Sequence, residues 1–138
     1  MQDGCQLGGV QVKREAQLKA LLVAKVKELL PPFVVIAHTE TFRAGVPDLS
    51  ITGGGRTTWW ECKHGTPGFA STGIQELTCL RLAIAGYCRY IIWSEAYDGT
   101  DKQTLIVHPR KLKDVEPELS FSSYNMTKLV DLIAKIHQ

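Results

Sequence analysis

The chain has 138 residues, enough for one domain of ordinary size and too few for a second full core. Hydrophobic residues make up 44% and charged residues 22%, close to globular averages, which excludes a disordered, collagen-like or low-complexity chain. Sixteen Lys and Arg against fourteen Asp and Glu leave a net charge of only +2, so bulk charge does not argue for nucleic acid and the distribution of charge must decide.

No stretch approaches the roughly 18 apolar residues of a membrane span, and the opening MQDGCQLGGV lacks the basic-then-apolar order of a signal peptide. No membrane partner is expected. Cys5, Cys62, Cys79 and Cys88 form no CxxC pair, which suits reduced thiols in the cytoplasm (the host cytoplasm for a virus-encoded chain) better than a disulfide framework or a zinc site.

Residues 1–12, with Gly4, Gly8 and Gly9, carry no clear period and predict a flexible arm before a single domain over 13–138. From Arg14 to Leu30 the apolar residues Leu18, Leu21, Leu22, Val26 and Leu29 form a helical stripe, closed by Pro31 and Pro32. Residues 33–36 predict a short strand. Alternation over Asp48 to Thr52, the turn Gly53-Gly54-Gly55 and a second run from Thr57 to His64 predict a β-hairpin. After a Gly, Pro, Ser and Thr-rich stretch from Gly65 to Gly73, the run Ile74 to Ala85 predicts a helix ended by Gly86. Tyr87 to Trp93 and Thr104 to His108 predict strands, and Met126 to Ile136 an amphipathic helix. The expected fold is α/β, a central mixed sheet flanked by helices in the order α-β-β-β-α-β-β-α.

Gly45-Val46-Pro47-Asp48, followed by Glu61-Cys62-Lys63, carries the strongest chemical signal. Side chains alternate along a strand, so Glu61 and Lys63 share one face while Trp60, Cys62 and His64 share the other. Pairing about the glycine turn brings Asp48 near Glu61, and two carboxylates make an oxygen-rich site suited to Mg²⁺. By spacing alone, a turn-forming Asp48 beside a surface Glu61–Lys63 pair worth about 0 to 1 kcal/mol fits equally well. The flanking Trp59 and Trp60 favour a packed strand, where charge is costly unless paired or bound to metal. Glu15 lies on the inward stripe of the first helix with Leu18 and Leu22, whereas Glu28 falls opposite. A first-turn Glu favoured by the helix dipole is the alternative to a ligand there.

Glu15 on an opening helix, Gly45-Val46-Pro47-Asp48, Glu61-Cys62-Lys63 and Gln75 on the next helix together resemble the PD-(D/E)xK nuclease pattern. More narrowly, they resemble the virus-type replication-repair nuclease (VRR-NUC) domain, which is related to archaeal Holliday junction resolvases. The resemblance spans Glu15 to about Trp93. It implies a restriction-endonuclease-like fold and metal-dependent hydrolysis of DNA phosphodiesters in branched DNA such as four-way junctions, with a flap or duplex nuclease, or a silent DNA-binding module, as rival readings. In that pattern Asp48, Glu61 and the backbone carbonyl of Cys62 would hold Mg²⁺ or Mn²⁺, and Glu15 would add a direct or water-mediated ligand. Lys63 would act on the attacking water and the phosphate, and Gln75 would position Lys63, water or substrate. Symmetrical junction cleavage needs two cuts, so a homodimer is the expected assembly.

Lys13, Arg14, Arg43 and Arg56 are candidate phosphate contacts, although solvated surface charge is the more common explanation for any one of them. The same holds for Arg110, Lys111 and Lys113. His38, His64, His108 and His137 lack ligand spacing and are expected at the surface or in packing.

Overall fold

The computed structural model describes residues 3–38, 45–65, 73–95, 102–114 and 116–138, with side chains of the first helix described from residue 14 onward. The elements in chain order are α1 (Asp3–Leu29), β1 (Val34–Ala37), β2 (Leu49–Gly53), β3 (Arg56–Gly65), α2 (Gly73–Ala85), β4 (Cys88–Glu95), β5 (Lys102–Val107), a 3₁₀ turn (Pro109–Lys111), β6 (Pro117–Phe121) and α3 (Met126–Ile136). The six strands form one mixed sheet in sequential order. All neighbouring pairs are antiparallel except β3 and β4, which are parallel and joined by α2 as the crossover that parallel strands require. The α/β sheet flanked by helices is therefore as expected, with two differences in the elements.

Residues 3–12, read above as an arm, are helical backbone continuous with α1. Once a helix is nucleated, each added residue gains a hydrogen bond for one residue fixed, so glycines costing about 1 kcal/mol each weaken the extension without breaking it. The second difference is β6, which the sequence pattern did not mark. Proline at its first position suits an edge strand, and residues 117–120 are exposed, so no buried face imprints alternation on them.

The sheet is buried on both sides by helices of different origin. Leu18, Leu22 and Val26 of α1 and Leu129, Val130 and Ile133 of α3 pack on Leu49, Ile51, Trp60, Cys62, Ile91, Trp93 and Ile106. Cys79, Leu82 and Ala83 of α2, with Leu112, pack on Trp59, Cys88, Tyr90, Ile92, Leu105 and Val107. Strand β4 thus buries alternate residues on opposite faces, the reason it reads as an unbroken apolar run. Each fully buried large side chain contributes about 1.5 to 3 kcal/mol, so the two layers clamp β3 and β4 at the centre. Cys62, Cys79 and Cys88 are buried free thiols. No helix among the described residues is long and apolar enough to cross a membrane.

The hairpin turn needs its glycines. Gly53 pairs with Arg56, leaving Gly54 and Gly55 as a two-residue connection with φ of 62° and 77°. Positive φ at both central positions matches the right-handed twist of a tight hairpin, and side-chain-bearing residues adopt it at a cost.

Candidate active site at the open end of β3

Strand β2 ends its pairing with β3 at Leu49 opposite Trp60, whereas β3 continues to Gly65, paired there only with β4. Among the described residues, the last stretch of β3 therefore has one edge without a strand neighbour. Unpaired backbone donors in a packed region need acceptors, and carboxylates supply them. The Cys62 N–H donates to Asp48 Oδ2 at 2.8 Å, and the His64 N–H donates to Glu15 Oε1 at 3.4 Å. In return the Asp48 N–H donates to Glu61 Oε1 at 3.0 Å. A strand residue presents its N–H and C=O to the same edge, so the Cys62 carbonyl lies on the edge that faces Asp48.

The approach to Asp48 depends on Gly45. Its φ is 89°, and a Cβ there would sit 2.6 Å from the Ile74 side chain and 2.9 Å from the Ile74 carbonyl. Only glycine lets this segment pass the first turn of α2 before Asp48 leads into β2 at Leu49.

Glu61 and Lys63 face α2, as the alternation predicts, while Trp60 and Cys62 enter the layer of α1 and α3. Glu61 is 1% exposed. Burial, reinforced by the Asp48 charge, pushes its carboxyl up to about 9 despite the opposing charge of Lys63. Lys63 Nζ lies 3.6 Å from Glu61 Oε2 and donates to Gln75 Oε1, 3.1 Å away at the start of α2. Burial also raises Glu15, and Asp48 adds to that; Lys63 and the His64 N–H oppose it. Glu15, Asp48, Glu61, Lys63 and Gln75, far apart in sequence, are thus brought to one end of the sheet.

The donor set fits a hard divalent cation. Among the described residues no three His, Cys, Asp or Glu side chains cluster as a metal cage, but Mg²⁺ is commonly held by one or two carboxylates, with water and substrate oxygens completing the shell. Asp48 and Glu61 each retain acceptor capacity beyond the single backbone bond described, since a carboxylate offers about four acceptor positions. Glu61, held protonated first by burial and then by the nearby Asp48 charge, is in a state that a bound cation would relieve.

The basic candidates separate. Arg14 is half-buried on α1. Arg56 lies at the opposite end of β3, where its Nη1 donates to the Ile136 carbonyl at 2.7 Å and its guanidinium stands 5.9 Å from the Tyr87 ring; it is not brought to the carboxylates. Arg43, the Lys13 side chain and residues 66–72 of the loop before α2 lie outside the described residues. Lys111 pairs with Glu116 at 3.4 Å at the surface. Trp60 is buried, and Trp59 stacks on His38.

Sequence reasoning missed Lys19, which lines a cavity with Glu15, Ala16 and Asp48. The signal was available, because a residue four positions after Glu15 shares its helix face. No protein-family model matches the chain, and no curated protein is significantly similar to it.

Proposed function

We propose that the chain is a Mg²⁺-dependent DNA endonuclease of the PD-(D/E)xK type, akin to VRR-NUC domains, that hydrolyses phosphodiesters in branched DNA. The observation that carries this reading is a carboxyl pair, the buried Glu61 and the half-buried Asp48, set against Lys63 at the end of β3. A structural ion pair would match each charge with its opposite. Here two carboxyl groups crowd together at one ammonium, and burial holds Glu61 protonated, a state that a bound cation would relieve by favouring the carboxylate.

A cation held by Asp48, Glu61 and the Cys62 carbonyl would supply charge neutralisation at the phosphate and a more acidic bound water. The chain's own residues do the rest. Gln75 fixes the Lys63 ammonium, which directs the attacking water and stabilises charge building on the phosphoryl oxygens. Glu15, tied to the His64 N–H, lines the cavity beside Asp48. Four-way junctions are the favoured substrate, and a homodimer the favoured assembly, because paired incisions need two such sites facing opposite strands. The cytoplasm is the favoured compartment, since three buried thiols remain free.

The test is cleavage of end-labelled four-way junction, flap and duplex DNA of matched sequence, with Mg²⁺ or chelator, alongside the solution mass. A dimer that cuts the junction first, and only with Mg²⁺, is the expected outcome. Preferential cleavage of flap or duplex by a monomer would replace the substrate class and keep the chemistry. Absence of cleavage on every DNA would overturn the enzyme reading.

A further inference from the structure

The cavity on the α1 side of the carboxylates, about 160 Å³, is lined by Glu15, Ala16, Lys19 and Asp48. Lys19 is half-buried and stands one helical turn beyond Glu15. Its charge reaches across to β3, opposing the upward push that burial, Asp48 and Glu61 exert on the Cys62 thiol. Lys63 approaches the same carboxylates from the other side of the sheet, held by Gln75 of α2. Two ammonium groups therefore flank the carboxylate row, one from each face.

Their commitments differ. Lys63 is engaged by both Glu61 and Gln75, whereas no carboxylate lies within 4.0 Å of Lys19 among the described residues. A half-buried ammonium without an ion-pair partner, lining an open cavity at a site that handles phosphate, retains its donors for a ligand. Glu15 and Asp48 alone would repel an anion from that cavity. A cation on the carboxylates would remove the repulsion and leave Lys19 as the attracting charge on the α1 side.

We propose that Lys19 binds a backbone phosphate of the DNA next to the one that is cut, so that the strand crosses the end of the sheet between Lys63 and Lys19. This rests on the nuclease reading above. Lys19 is then a substrate-binding residue, and the α1 cavity is the subsite for a non-reacting phosphate.

The experiment measures kcat and KM for junction cleavage by the wild type, Lys19→Gln and Lys19→Arg over a series of salt concentrations, together with the Mg²⁺ requirement and the Tm of each. Lys19→Gln is expected to raise KM with kcat little changed, and to reduce the slope of log(kcat/KM) against log salt by about 1, the loss of one phosphate contact. Lys19→Arg should keep the wild-type slope. If Lys19 instead serves as a counter-charge for the carboxylates, Lys19→Gln will shift the Tm or the Mg²⁺ requirement and leave the slope unchanged, which overturns the proposal. An active wild type with an unaltered Lys19→Gln also overturns it. A wild type that cuts no DNA overturns the nuclease reading and this inference together.

Discussion

The two ends of β3 treat polar groups in opposite ways. At the turn end, His137 is 4% exposed; its Nδ1 meets the Gly53 carbonyl at 2.8 Å and its Nε2 meets the Thr58 hydroxyl at 2.9 Å. The Trp60 indole N–H completes the chain by donating to the same hydroxyl at 2.8 Å. Donors and acceptors match, the close approach of the His137 carbonyl needs glycine at position 54, and the network ties α3 to the hairpin. At the open end, burial and the neighbouring Asp48 charge hold Glu61 far from its ordinary ionisation. A satisfied buried network specifies structure, whereas an unbalanced one in a cleft is where chemistry is sought. On this contrast we read the turn end as structural and propose the open end as the functional one.

The largest effect expected at the open end follows Asp48→Asn or Glu61→Gln, which should bring cleavage below detection while leaving far-ultraviolet circular dichroism and Tm near those of the wild type. Loss of folding in both variants would move these residues to the structural side of the comparison. Next comes Lys63→Ala, expected to lower kcat by on the order of 10² or more, in the range of positioned proton-transfer groups. Gln75→Ala, acting through Lys63, should cost about 10-fold, as outer partners of a site do. Full rescue of Lys63→Ala by excess Mg²⁺ would show that the ammonium serves the cation rather than the water and phosphate. Glu15→Gln should fall between Gln75→Ala and the wild type if it acts through water.

At the turn end the sign of the effect reverses. His137→Ala leaves the Thr58 hydroxyl and the Gly53 carbonyl without their partner, so it should lower stability by about 1 to 3 kcal/mol and leave kcat unchanged at temperatures below its melting transition. Denaturant melts and initial rates on one preparation check both halves.

The pH dependence of stability without metal belongs to the open end as well. Glu61 keeps its proton to about 9 when folded, while in the unfolded chain it ionises at its ordinary 4.5. Its contribution is therefore full below about 4.5 and is lost as pH rises toward 9, so Tm in chelator should fall across that window. Glu61→Gln should flatten the fall, and Mg²⁺ should raise the wild-type Tm more at pH 8 than at pH 5. A wild-type Tm that rises with pH across the window would contradict the assignment.

The same contrast explains what the sequence made legible. Asp48, Glu61 and Lys63 were readable because strand alternation and one tight turn relate them locally, and Glu15 because it shares a stripe with Leu18 and Leu22. The His137 network joins residues 79 and 84 positions apart, and no local period encodes such a contact. Arg56, a phosphate contact by charge alone, donates to the Ile136 carbonyl at the end of the strand away from the carboxylates, a position no local pattern announces. Strand β6 escaped because its exposed residues carry no burial pattern, and residues 3–12 because their helix extends from a nucleus formed further along.

We claim that the open end of β3 holds a catalytic cation, and calorimetric titration of Mn²⁺ into wild type, Asp48→Asn and His137→Ala at pH 8, with DNA cleavage followed on the same samples, decides it. Saturable binding and cleavage should persist together in wild type and His137→Ala, and be lost together in Asp48→Asn. Equal Mn²⁺ binding by Asp48→Asn and wild type, or cleavage by wild type in chelator, would contradict the claim.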